Sequence, residues 1–279
     1  MSVAHHLVSP LSKGLFKRAI LESGSAYYYT GKGAVDKSFN LNHAKNFSKI
    51  IHNCSDADWL DCLKKIHAKK FNKYNSKKWY VDKPIDGDEF MPENAQKIIK
   101  SGKFHKNLDI LAGVTTDEGT IFGKIALRLN KMKRVTKSIV KSWIKNRFNK
   151  MVYKRLVPKV DGKQVFNFYL KKLFDENSSI NQTTLKRAFS APLGDFIIKC
   201  PTYLFAKDYA LHSENNQVYF YYLTYNAKNS CLDWMGVCHG AQHPFIFGIP
   251  LAKTDSFTEQ DLNFSLLVMQ IWTTFAKTG

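Results

Sequence analysis

Three short apolar runs stand out along the chain: Phe16 to Glu22, Leu108 to Val114, and the aromatic, β-rich Val218 to Tyr225. Each is bounded by turn-forming residues, and their length and composition predict β-strands. Between them the spacing of apolar positions turns helical. Asn94 to Lys100 follows Pro92, Thr184 to Phe189 forms a short stretch, and Thr258 to Ala276 opens on Thr-Glu-Gln-Asp with Leu262, Leu266, Met269 and Trp272 on one predicted face. Ile125, Leu129, Met132, Val135, Ile139 and Trp143, with Phe148 and Val152 beyond, recur at steps of three to five residues, which predicts amphipathic helices. Strands separated by helices favour a mixed α/β fold with a largely parallel sheet, whose functional loops lie beyond the carboxyl ends of the strands. No internal repeat or low-complexity linker interrupts the pattern.

Composition narrows the class. The chain has 279 residues, 44% of them hydrophobic and 14% aromatic, which suits one large or two ordinary globular domains and excludes a disordered or collagen-like chain. Every apolar run is broken well short of the roughly 18 to 20 residues a membrane span requires, so no transmembrane helix is expected. The first ten residues lack the basic start and apolar stretch of a signal peptide. The net charge of +19 is concentrated in two places: Lys124 to Lys163 holds 14 Lys or Arg against Asp161, and Lys64 to Lys83 holds eight Lys against Asp82. Clustered basic residues interleaved with Trp143, Phe148 and Tyr153 could track a polyanion. The helical spacing accounts for them as solvated basic faces, so no nucleic-acid partner is expected.

Five cysteines, Cys54, Cys62, Cys200, Cys231 and Cys238, cannot all pair within the chain, and no Cys-x-x-Cys suggests zinc. Cys54 and Cys62 could close a short loop in an oxidising compartment, or the thiols could be free and buried. Asn-x-Ser/Thr sequons at Asn46, Asn53, Asn177, Asn181 and Asn263 would suit a secreted glycoprotein, although an Asn-rich chain generates some by chance.

Two strand ends carry candidate chemistry. Leu108 to Val114 is followed by Thr115-Thr116-Asp117-Glu118-Gly119, and Val218 to Tyr225 leads to Trp234-Met235-Gly236-Val237-Cys238-His239-Gly240. A strand-end acid followed much later by a strand-end His is the order of a hydrolase triad whose nucleophile comes first. The imidazole takes a proton from the nucleophile while the carboxylate holds its other nitrogen protonated. Each motif taken alone is common in turns and loops.

The surrounding strings add specificity. Leu7-Val8-Ser9-Pro10 through Arg18-Ala19-Ile20, then Glu22-Ser23-Gly24-Ser25, Pro84-Ile85-Asp86-Gly87-Asp88, Gly113 to Gly119, Cys200-Pro201, Trp234 to Gly240, Phe245 to Leu251 and Trp272 to Gly279 follow in one order along the whole chain. In that order they resemble the type B carboxylesterase and cholinesterase family of α/β-hydrolases, and Trp-Met-Gly-Val before the His leans toward the cholinesterase branch. The resemblance is weakest from Lys124 to Ser190.

The resemblance implies a serine esterase with Glu118 as triad acid and His239 as general base. They would approach each other by a hydrogen bond of about 2.6 to 3.2 Å. The family nucleophile is a Ser in Gly-x-Ser-x-Gly, a string this chain lacks. Ser2 to His6 aligns with the helix that leaves the nucleophile turn. The expectation is therefore residues 1–279 as the second half of an α/β-hydrolase domain, lacking the nucleophile elbow and the last family segment and inactive alone. Ser23 resembles a second serine near the triad, the alternative being a turn hydroxyl bonded to its own backbone. Gln242 stands where family members usually carry Glu. Cys54 and Cys62 look like a family disulfide, and Cys200 like one whose partner lies past Gly279. No metal or organic cofactor is implied. The partner is a small carboxylic ester and the location extracellular. A different class of function stays open, a non-catalytic cholinesterase-like binding or adhesion protein, supported by Gln242 and the basic stretches.

Overall fold

The computed structural model describes residues 1–27, 35–75, 84–125, 134–143, 162–173, 181–213, 215–227 and 230–279. Of the residues singled out above, Leu129, Met132, Phe148, Val152, Tyr153 and the sequon Asn177 lie outside them, as does most of the basic stretch.

In chain order the strands are β1 (Arg18–Glu22), β2 (Val35–Asp36), β3 (Ile85–Asp86), β4 (Asp109–Thr115) and β5 (Val218–Leu223). The helices are α1 (Ser2–Val8), α2 (Lys37–His52), α3 (Trp59–Lys64), α4 (Ala68–Asn75), α5 (Ala95–Lys100), α6 (Thr120–Ile125), α7 (Lys137–Trp143), α8 (Gly162–Leu173), α9 (Gln182–Gly194), α10 (Cys200–Leu211), α11 (His243–Ile246), α12 (Ile249–Ala252) and α13 (Glu259–Thr278). The three strands read from apolar runs form one parallel sheet in the order β1-β4-β5, with Glu22 opposite Gly113 and Thr115 opposite Leu223. β4 lies in the middle and is buried along nearly its whole length, as expected of a parallel strand covered on both faces. β2 and β3 form a separate parallel pair.

The largest core cluster joins α1, β1, α5, β4 and α10 through Leu7, Leu21, Ile99, Ile110, Phe205 and Tyr209. A second packs α7 and α9 against the loop after β5, through Val140, Leu185, Phe189, Leu193, Met235 and Cys238. No helix among the described residues is long and apolar enough to cross a membrane.

Three predicted helical features change. The stretch at Thr184 to Phe189 extends to Gln182–Gly194, passes Pro192, and continues through a π-helical turn at Asp195–Lys199 into α10. Pro and Gly there do not end the helix, because burial of Phe189, Leu193 and Ile198 holds the chain and the wider turn absorbs the lost regularity. In α7 the buried residue is Val140, whereas Ile139 is 39% exposed and Ile125, at the end of α6, is 63% exposed. The apolar face is not continuous, since residues 134–136 are non-helical and α7 starts a new phase.

In α13 the buried face is Asp261, Ser265, Val268 and Phe275, one position away from the predicted row, and Leu266 is exposed. Polar residues face inward because each is satisfied. Asp261 closes a capping box with Thr258 and accepts from the Tyr225 hydroxyl at 2.8 Å, and Ser265 donates to the Phe245 carbonyl at 2.8 Å. The far end of α13 is held to the sheet by Arg18, which donates to the carbonyls of Ala276 and Lys277. Trp272 in its middle donates to Glu22 Oε1 at 2.8 Å.

Candidate active site

β1 and β4 pair in register, so both chains leave the sheet at the same end. The Ser23 amide donates to the Gly113 carbonyl at 2.9 Å and continues the ladder one residue past β1. Ser23 itself adopts φ +50°, a left-handed conformation that costs a non-glycine residue about 1–2 kcal/mol. This turn carries its side chain toward the residues after β4. There Thr116 donates its amide to the Leu223 carbonyl at 3.0 Å, and Thr120 donates its amide to the Asp117 carbonyl to begin α6.

Gly119 fits this turn because α9 lies directly against it. A Cβ on Gly119 would sit 2.0 Å from the Ser190 carbonyl oxygen, and one on Gly194 would sit 2.3 Å from the Gly119 nitrogen. The turn presents Glu118, which is fully buried. Glu118 Oε1 accepts from the Thr115 amide at 2.7 Å and from the Ser23 hydroxyl at 2.5 Å. Its Oε2 meets His239 Nδ1 at 2.6 Å.

His239 reaches that oxygen from the loop after β5. The loop passes through a 3-10 turn at Asp233–Met235 and through Gly236 at φ +62°. It then forms a bridge to the acid turn in which Asp117 donates its amide to the Val237 carbonyl and Val237 donates its amide to Asp117 Oδ2, both at 3.0 Å. Arg187, on α9, donates to the Trp234 carbonyl at 3.2 Å. Burial raises the Asp117 carboxyl above the usual carboxylate range, against the pull of Arg187, the Val237 amide and Lys199. After His239 the chain turns at once, with the Ala241 amide donating to the Cys238 carbonyl at 3.0 Å.

This arrangement sets the imidazole tautomer. A carboxylate only accepts, so Nδ1 carries the proton and Nε2 keeps its lone pair. The His239 side chain is 39% exposed, whereas Glu118 is sealed off. A base with one end held by a buried carboxylate and the other open is suited to take a proton from a hydroxyl brought to it.

The sequence-derived candidates are therefore placed as follows. Glu118, His239 and Ser23 form one hydrogen-bonded chain, Ser23 donating to Glu118 and not to its own backbone. Gln242 is buried nearby in sequence, but its Oε1 has no hydrogen-bond partner among the described residues. Ser25 is turned away, donating to the Pro201 carbonyl at 3.0 Å. Cys54 and Cys62 form a disulfide, and Cys200 is free. Cys231 and Cys238 form a second disulfide that the resemblance did not suggest. No cluster of three metal-ligating side chains occurs among the described residues. A pocket lined by Val8, Pro92, Ile98, Phe104 and His105 contains neither Glu118 nor His239.

Two contributors escaped the sequence reading. Asp117 looked like part of a turn, and only the fold shows its carboxylate pinning the His loop. The Cys231–Cys238 pair carried a readable signal, since its separation of seven is close to the eight between Cys54 and Cys62.

The chain aligns with known proteins over nearly its whole length. The chain is 26% identical to acetylcholinesterase-1 of Trittame loki over 97% of its residues, covering 50% of that protein. It is 28% identical to the cholinesterase of Mus musculus and 29% identical to the acetylcholinesterase of Bungarus fasciatus, over its full length in each case and 46% of theirs. The chain thus spans about half the length of the curated relatives it matches. The carboxylesterase family profile matches residues 1–279, in keeping with the parallel sheet and its flanking helices, and the chain belongs to the carboxylesterase family.

Proposed function

We propose that these residues supply the acid and the base of a serine carboxylic-ester hydrolase. Glu118 is the triad acid, His239 is the general base, and choline esters are among the candidate substrates. The observation that carries this reading is the 2.6 Å contact between a fully buried carboxylate and an imidazole open on its other side. In the reaction, a Ser hydroxyl gives its proton to His239 Nε2 as its oxygen attacks the ester carbonyl. Glu118 stabilises the imidazolium, which then protonates the departing alcohol. Water repeats the sequence on the acyl-enzyme, and the acid is released. Ser23 orients the acid through Oε1 and does not act as nucleophile.

No Gly-x-Ser-x-Gly occurs in the sequence, so the nucleophile in this proposal is not among these 279 residues. An extracellular location fits the two disulfides and the exposed sequons Asn46, Asn53, Asn181 and Asn263. The test has two arms. The 279-residue chain alone should neither turn over short acyl esters above a His239→Ala control nor take up an organophosphate. The longer polypeptide that carries the nucleophile should do both and lose turnover on His239→Ala by about 10⁴-fold or more. Labelling of a Ser within residues 1–279 would overturn the assignment. A longer polypeptide that neither labels nor hydrolyses esters would favour a binding or adhesion role.

A further inference from the structure

The loop that delivers His239 is closed on itself by a covalent bond. Cys238, the residue immediately before His239, is disulfide-bonded to Cys231, with alpha carbons 6.1 Å apart. The enclosed residues hold the 3-10 turn at Asp233–Met235 and the left-handed Gly236. Cys238 is buried in the cluster formed by Leu193, Trp234 and Met235, and Cys231 packs against the same cluster from a more open position. The Cys238 amide points back at Cys231 Sγ, 3.3 Å away.

On its other side the same segment is pinned by the two bonds between Asp117 and Val237 and by Arg187, which donates to the Trp234 carbonyl. One of the Asp117 bonds depends on a carboxylate that burial tends to protonate. His239 therefore sits between a covalent staple and a tight turn, one residue from each.

We propose that the Cys231–Cys238 disulfide is a positioning bridge for His239: it holds the loop in the register that seats the imidazole on Glu118, and its reduction releases that seat. A dithiol reductant performs the opening step. One of its thiolates attacks Cys231 Sγ, the more accessible sulfur, and the S–S bond breaks with Cys238 leaving as a thiolate that takes up a proton. The second thiol of the reductant then displaces Cys231 from the mixed disulfide. Two protein thiols are formed and the reductant leaves as its own disulfide, a balanced two-electron exchange. With the staple open, the enclosed residues 232–237 regain conformational freedom, and the Asp117 and Arg187 contacts must order them.

The role of the bridge rests on the site reading above, but its test needs no esterase activity, so the two can fail separately. Proteolysis of the folded 279-residue chain under non-reducing conditions, followed by mass spectrometry, should recover a Cys231–Cys238 cross-linked peptide. Proton NMR should show a far-downfield imidazole N–H for the His239–Glu118 bond. Dithiothreitol, and separately the double variant Cys231→Ala/Cys238→Val, should abolish that resonance. Either should also speed hydrogen exchange at the Asp117 and Val237 amides at least tenfold while leaving exchange at the ladder amides of β4 unchanged.

Free thiols at both positions in the folded protein would overturn the proposal. So would a downfield resonance and exchange rates that survive loss of the bridge. Unfolding of the whole chain in the double variant would also overturn it, because the bridge would then hold the fold and not the seat of His239.

Discussion

Replacing Glu118 by Gln keeps the size and shape of the side chain and changes only what its two ends can accept. In the native site Oε1 accepts from two donors, one of which, the Thr115 amide, is fixed by β4, and Oε2 accepts from His239 Nδ1. An amide has one accepting end. Directing its NH₂ at Thr115 would face two donors together in a site without solvent, a conflict of about 1–3 kcal/mol. The amide should therefore turn its oxygen to Thr115 and Ser23 and its NH₂ to His239.

That orientation requires Nδ1 to accept, which moves the ring proton to Nε2, the nitrogen that in the proposed reaction receives the proton of the nucleophile. An imidazole in that tautomer cannot act as base. The comparable change in another serine hydrolase triad costs about 10⁴-fold in turnover, or roughly 5.5 kcal/mol of barrier. Two assays follow. In the 279-residue chain, ¹⁵N NMR of the His239 ring should show protonation moving from Nδ1 to Nε2 with the fold intact. In a longer polypeptide that supplies the nucleophile, the proposed function requires ester turnover to fall by about 10⁴-fold with KM little changed. A Gln variant with Nδ1 still protonated, or with turnover within tenfold of the native value, would refute the reasoning.

Three further outcomes are expected. Gly119→Ala should destabilise the chain by about 2 kcal/mol or more in urea denaturation, since its Cβ would meet the Ser190 carbonyl at 2.0 Å and neither backbone can yield freely; an unchanged midpoint would refute the close packing of α9 on the acid turn. Cys54→Ser/Cys62→Ser should lower stability by roughly 2–3 kcal/mol by the loop-entropy relation for so short a ring, a loss that equilibrium unfolding measures directly. Asp117, whose folded-state carboxyl lies above its unfolded value near 3.8, binds protons more tightly in the native state, so stability should fall as pH rises from about 3.8 through the raised value. In Asp117→Asn that decline should disappear; parallel pH profiles for the two proteins would show that Asp117 does not titrate this way.

The three strands of the larger sheet were legible because each is a short apolar run between turn residues, whereas the two-residue β2 and β3 were not. β4 is buried almost throughout and β1 at alternate positions, and parallel pairing follows from the helical sequence that separates them. Glu118 was legible as a strand-end residue and His239 only as part of a longer string, since it lies on a loop well beyond β5, and Thr258 announced its helix through a local capping box. Such signals involve residues within a few positions of one another, so local chemistry decides them.

The remainder depended on distant neighbours. Leu266 faces outward and Ser265 inward because a carbonyl at Phe245 waits for the Ser hydroxyl, a partner no periodicity reveals. Helix α9 runs through Pro192 because the core behind it outweighs a local breaker. Ser23 was ambiguous between its own backbone and Glu118 until the pairing of β1 with β4 placed its hydroxyl 2.5 Å from that carboxylate, 95 residues further along the chain. Cys231 could take Cys238 as partner only once the Asp117 bridge and the turn at Gly236 bent the loop back on itself. Residue type sets what a side chain can donate, accept or bury. Which partner it finds is settled by the tertiary fold, because hydrogen bonds and disulfides form only between groups that packing has already brought within a few ångströms.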